Sequence, residues 1–291
     1  MHCALCIILS SCQTHIDYKG TVAEQQMVVF AQAAADDTLA CSVAHSRFFL
    51  TDTLLQKQGK ELLLNDAVVT WQINDSEWQQ NTDGSLVTHA GDLVRLHVAH
   101  PDYPQAEAQQ RVPYKARLQA RLDKETDMAY EVKLRFDDYK GSYDDVFVLQ
   151  AYIGHVDNGD TVLNAVRIGS DDELFRPLNY ADDGIISIFT NRREQLFLPT
   201  DISGSEVSLF VYRPERSADT TAVAGLLIDC LTITADYMLH YQTMQNRSSV
   251  MGSVIGFGTE EQVQIYSNLS SGIGMFVATN DTLLFIPKRN N

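Results

Sequence analysis

Residues 67–73 read Ala67-Val68-Val69-Thr70-Trp71-Gln72-Ile73, followed at once by Asn74-Asp75-Ser76-Glu77. Val69, Trp71 and Ile73 alternate with Val68, Thr70 and Gln72, the two-residue period of a strand with one buried face, so Trp71 is expected in a core. The four residues that follow are turn chemistry, and they predict a hairpin whose return strand opens at Trp78. The same cadence of short strands and turn signals runs through 27–34, 39–49, 84–89 and 93–97. Strands this short and this regularly spaced predict an Ig-like β-sandwich over residues 25–113.

The boundary is expected near Pro113, where His100-Pro101-Asp102-Tyr103-Pro104 and Val112-Pro113 bring prolines that cannot donate into a central ladder. A second β-rich series follows at 114–122, 129–136, 146–153, 161–168, 184–189 and 206–212, with acidic pairs in its loops. After an apolar strand at 226–233, residues 235–246 set Tyr237, Tyr241 and Met244 at helical spacing, which predicts one amphipathic helix packed on a sheet. Closing strands are read at 263–266, 274–278 and 282–286. The predicted fold is therefore all-β in two domains, the sandwich at 25–113 and a larger β domain at 114–291 with one late helix. A length of 291 residues suits two cores.

The first 11 residues contain no Asp, Glu, Lys or Arg, and Leu9-Ser10-Ser11-Cys12 ends this apolar and small-residue run in a cysteine. That is the pattern of a bacterial lipoprotein signal over 1–11, which predicts lipidation at Cys12 and a polar tether over 12–24. Of the five cysteines, Cys41 and Cys230 then remain, far apart and each in an apolar run, so both are expected as buried free thiols. With 22 basic against 38 acidic residues the net charge is −16, a surface that repels nucleic-acid phosphate and anionic lipid.

The helix-like stretch at 237–246, followed by Tyr266-Ser267-Asn268-Leu269-Ser270-Ser271-Gly272-Ile273-Gly274-Met275-Phe276, resembles the closing signature of a Bacteroidota lipoprotein family known only as domain of unknown function 4249. Asp171-Asp172-Glu173-Leu174-Phe175 and Tyr130-Glu131-Val132-Lys133-Leu134-Arg135-Phe136-Asp137 are similar to mid-domain segments of that family. The chain departs from the signature at Leu269, where the family has isoleucine, and at Ser271, where it has glycine. The resemblance implies a lipid-anchored outer-membrane protein on the extracellular face, because such lipoproteins are often encoded beside SusC-like TonB-dependent transporters and SusD-like lipoproteins. It implies an accessory subunit of such an importer that helps capture peptide or glycan, with a purely structural subunit as the alternative and a surface hydrolase as a third.

Catalysis needs a nucleophile beside a base or two carboxylates at a working separation, and the sequence locates neither, so no enzyme is expected. Gly-x-Ser-x-Gly, Walker and dinucleotide motifs are absent from the sequence, and no cofactor is expected. Asp157-Asn158-Gly159-Asp160 resembles the start of a calcium loop but lacks the distal glutamate spacing, so it is read as a hairpin turn and no metal site is expected. His97 and His100 on one strand should face opposite ways. A binding role would use exposed aromatics, and the candidates are Trp78, Tyr103, Tyr139 and Tyr143, the last two flanking Lys140-Gly141-Ser142 at an expected hairpin tip. Gly272 and Gly274 are read as turn glycines between closing strands.

Overall fold

The computed structural model describes residues 24–46, 62–157, 160–175, 194–214, 223–253 and 265–287. The fold is all-β and sandwich-like with one long helix. Its strands are β1 (Met27–Ala34), β2 (Ala40–His45), β3 (Val68–Ile73), β4 (Leu93–His100), β5 (Tyr103–Arg111), β6 (Leu118–Glu125), β7 (Ala129–Phe136), β8 (Val146–Asp157), β9 (Asp160–Val166), β10 (Ile168–Gly169), β11 (Leu196–Pro199), β12 (Glu206–Tyr212), β13 (Val223–Ile233) and β14 (Ile273–Pro287), with α1 (Ala235–Ser253) before the last.

One long sheet, ordered β11-β8-β13-β14-β1-β2 with β9 beside β8, backs two smaller ones, β3-β4-β5 and β10-β12-β7-β6. The spine is β14. Its first half pairs in parallel with β1, from Val28 opposite Ile273 to Ala34 opposite Thr279, and its second half pairs antiparallel with β13, from Ile233 opposite Thr279 to Gly225 opposite Pro287. Side chains alternate along it, and the inward set serves both cores. Phe276 and Ala278 enter the N-terminal core with Val29, Trp71, Leu96 and Val98, whereas Ile286 enters the C-terminal core with Leu134, Phe147, Leu209 and Ile228. The expected sandwich at 25–113 is thus completed by a strand some 165 residues past its predicted boundary, a long-range pairing that no local pattern announces.

The chain passes from the first core to the second around Pro113. Val112 is buried in the first core and Ala116 in the second, and β14 holds the backbone between them: Asn280 Nδ2 donates to the Pro113 carbonyl at 2.9 Å and Thr282 Oγ1 to that of Ala116 at 3.0 Å. On the opposite face of the long sheet lies α1, where Met238 packs with Val146, Val148, Phe197 and Ile233.

Trp71 points into the core as its alternation predicts, 2% exposed, with its ring edge-on to Phe276 at 5.6 Å. His97 faces outward opposite Glu107, while the His100 side chain turns inward to Asp66, 3.1 Å away. Several expectations are corrected. Residues 84–89 form no strand, only bridges from Val87 and Thr88 to Thr38 and Ala35. The proline-marked 100–104 segment is a tight hairpin into β5, where Pro104 is tolerated because β5 is the edge of its sheet. The two final strands are one, and the described part of 263–266, Ile265 and Tyr266, is not strand. The helix runs on to Ser253, and Met244 stands half-exposed, since Met238 and His240 take the buried positions. Cys230 is buried as expected, whereas Cys41 is only partly covered; both thiols are free, and burial pushes the pKa of Cys41 up to about 12. Cys12, the 1–11 segment and the expected strand at 184–189 lie outside the described residues.

Candidate functional site

The segment that follows α1 builds the floor of the candidate site. Thr234 follows β13 with its carbonyl accepting the amides of Tyr237 and Met238 at 3.1 and 3.2 Å, so the helix starts here and Asp236 sits in its first turn, where aligned amides favour a carboxylate. Asp236 Oδ1 accepts the Tyr266 hydroxyl at 2.6 Å, and Oδ2 accepts Gln110 Nε2 at 2.7 Å and Asn268 Nδ2 at 3.4 Å. The hydrogen bond to Asp236, then burial, holds the Tyr266 pKa up at about 12.

From there residues 266–271 run as a strap from the helix to β5. His240 Nδ1 donates to the Tyr266 carbonyl at 2.6 Å, and the Tyr266 amide donates to Thr243 Oγ1 at 2.9 Å. At the far end the Ser270 amide donates to the Glu107 carbonyl at 2.8 Å, the Glu107 amide returns a bond to Ser270 Oγ at 2.8 Å, and Ser271 Oγ donates to the Gln105 carbonyl. The strap then turns into β14 through Gly272 and Gly274, both at positive φ, +74° and +128°. A Cβ at Gly274 would overlap the Val29 carbonyl oxygen, and one at Gly272 would crowd that of Met27, so both glycines are needed for β14 to lie against β1. The turn reading of this motif stands, with close strand approach as its reason.

Between this strap and the outward face of β4 and β5 lies a cleft of about 610 Å³. Arg95 and Gln109 are cross-strand partners on that face, as are His97 and Glu107. Trp78 forms the rim, 47% exposed, its ring edge-on to His97 at 6.1 Å. The Arg95 guanidinium is anchored by Gln72 Oε1 at 2.8 Å and the Asn74 carbonyl at 3.2 Å. Asp236, Tyr266 and Asn268 are occupied with one another, but the Glu107 carboxylate and the Gln109 amide have no side-chain partner among the described residues. The cleft therefore offers an open aromatic, an anchored cation, one unpaired carboxylate and one unpaired amide, a set suited to holding a polar ligand.

The other expected aromatics are not brought to it. Tyr103 is half-buried against His100, with ring centroids 5.2 Å apart, and belongs to the N-terminal core. Tyr139 turns inward: its ring meets Phe147 edge-on at 5.2 Å and its hydroxyl donates to Asp145 at 2.7 Å, a fold-back that Gly141 permits because a Cβ there would overlap the Tyr139 ring. Tyr143 is 75% exposed, and the expected hairpin tip is instead a loop that carries the chain from β7 to β8 in a different sheet. The Asp157-Asn158-Gly159-Asp160 turn joins β8 to β9, with Asp157 paired to Asp160, and its central two residues lie outside the described set. Glu107, Gln109, Asp236 and Asn268 were missed in sequence; only the patterned strap motif pointed near them.

A second, uncharged hollow of about 510 Å³ lies between α1 and the outward face of β1 and β14, lined by Phe30, Tyr237, Tyr241, Met244, Met275 and Val277 among others. Among the described residues no helix is long and apolar enough to cross a membrane, and no cluster of three or more His, Cys, Asp or Glu is placed to hold a metal. No protein-family model matches the chain, and no curated protein matches it.

Proposed function

We propose that this protein is a ligand-holding lipoprotein of a Bacteroidota outer membrane, anchored through Cys12 on the extracellular face and acting as an accessory subunit that captures peptide or glycan for a SusC/SusD-like importer. The membership of the family of unknown function rests on the strap signature, and the anchor on the run that ends at Cys12. The capture role rests on a single observation: Trp78 stands half-exposed at the rim of a cleft in which the Glu107 carboxylate and Gln109 amide have no side-chain partner among the described residues. Both side chains are exposed on the outward face of β5, open to a ligand, and stiff aromatic area beside them is what binding surfaces concentrate.

A purely structural subunit is the second reading, favoured by Leu283 and Phe285, both more than half exposed on the outward side of β14, beside the cross-strand residues Leu227 and Tyr152. An apolar row of that kind fits a protein contact. Affinity purification of the tagged full chain from detergent-solubilised outer membranes, with mass spectrometry of what accompanies it, tests both. Recovery of a SusC/SusD-like pair with bound peptide or glycan supports capture; the pair without ligand supports the structural subunit. A lipidated protein recovered alone overturns the importer reading.

A further inference from the structure

We infer that the Trp78 cleft takes a neutral saccharide rather than a peptide, an inference that rests on the capture reading above and narrows it. Three observations carry it. First, the route by which a peptide would bind beside β5 is blocked along part of the strand. An extended peptide gains its affinity by adding a strand to an open sheet edge, and here both Glu107 backbone groups and the Gln105 carbonyl are already bonded to Ser270 and Ser271. Recognition beside the strap is left to side chains.

Second, those side chains are planar and polar, and they lie on one flat face. Glu107 and Gln109 sit two residues apart on β5, so both project outward, and Arg95 is directly across from Gln109. A carboxylate, an amide and a guanidinium each present paired acceptors or donors in a plane. Adjacent ring hydroxyls, which donate and accept at once, match such pairs; an apolar or singly functional ligand leaves half of each unsatisfied. Third, among the described residues the cleft holds no unpaired cation that would select an acidic ligand: Arg95 lies 3.8 Å from Asp75, and Asp236 is engaged by the uncharged Gln110, Tyr266 and Asn268. The exposed indole of Trp78 supplies the apolar surface on which the C–H face of a sugar ring stacks.

The test uses the purified full chain with two panels of probes: maltohexaose, cellohexaose, laminarihexaose, xylohexaose and mannohexaose, and a random-sequence hexapeptide library at matched concentration. The chain has two tryptophans, of which Trp71 is 2% exposed, so acrylamide quenching reports on Trp78. The expected result is that at least one hexasaccharide protects Trp78 from quenching. Calorimetry then shows binding weakened at least tenfold by Trp78→Ala and several-fold by Glu107→Gln and Gln109→Ala, with circular dichroism unchanged in these exposed-site variants. Protection by hexapeptides and by none of the sugars overturns the saccharide assignment while leaving the capture reading in place. Protection by neither panel overturns the cleft as a ligand site, and with it the capture reading.

Discussion

Asn268 grips Phe276 from both ends of one peptide unit's neighbourhood: its Oδ1 accepts the Phe276 amide at 2.9 Å and its Nδ2 donates to the Phe276 carbonyl at 2.8 Å. The strap thereby imitates a strand beside β14 with a single side chain, and it fixes the residue whose ring meets Trp71 in the N-terminal core.

Replacing Asn268 with Ala should cost about 2 kcal/mol of unfolding free energy, the sum of two neutral hydrogen bonds with their backbone partners left short. Urea unfolding followed by far-UV circular dichroism checks this, and an unchanged midpoint would show the clamp to be incidental. Phe276→Ala should cost more, about 3–5 kcal/mol, because it empties a fully buried site.

Gly274→Ala should prevent stable folding, since a Cβ there overlaps the Val29 carbonyl oxygen and the φ of +128° is foreign to other residues. Gly204→Ala is the matched control: its φ is +75° but nothing lies within 4 Å of the new Cβ, so the loss there should be roughly 1 kcal/mol. Thermal unfolding of the two variants separates close approach from backbone strain. Equal losses would contradict the packing account of β1 against β14.

Asp229 lies on the outward face of β13 with Oδ1 buried and unpartnered, and burial, then the charge of Asp281, raises its pKa above the ordinary carboxylate value. A carboxyl with a raised folded pKa binds its proton more readily in the native state, so its ionisation removes stability as pH rises through the window above 3.8, where an unperturbed Asp titrates. Asp229→Asn should therefore raise the melting temperature at pH 7 by roughly 2 °C. The gain should shrink as pH falls into the carboxylate range. A gain independent of pH would assign the effect to something other than charge.

The Tyr266 pKa, held up at about 12 by its bond to Asp236, carries the same linkage at the alkaline end. The unfolded phenol ionises first, near the ordinary tyrosine value of 10.0, so stability is intact below that pH and is lost between 10.0 and about 12. Tyr266→Phe should be less stable than the parent at pH 7 by about 1 kcal/mol. It should also lose less between pH 10 and 12, which stability measured by urea titration at each pH would reveal.

Much of the fold was legible in the sequence wherever alternation is strong. Residues 27–34, 129–136 and 206–212 are strands with the expected bounds, because one face of each is buried and the period-two pattern records it. The strand Tyr103–Arg111 was not legible: it is an edge, and its proline, glutamines and glutamate give no apolar alternation to mark it as a strand. That misreading also hid Glu107 and Gln109, half of the candidate cleft. Trp78 was legible as an exposed aromatic. Its companions Asp236, Tyr266 and Asn268 reach the cleft only through the parallel pairing of β14 with β1, a relation between the two ends of the chain that carries no local signal.

That pairing also fixes the order of events when the protein is made. Val28 is synthesised long before Ile273, its eventual neighbour, and until that partner arrives the first sheet has an open flank and a core lacking Phe276. The β3-β4-β5 sheet can pair locally, but the core it covers stays open until β14 is made. A product stopped short of β14 is therefore a natural target for quality-control proteases rather than a smaller working part.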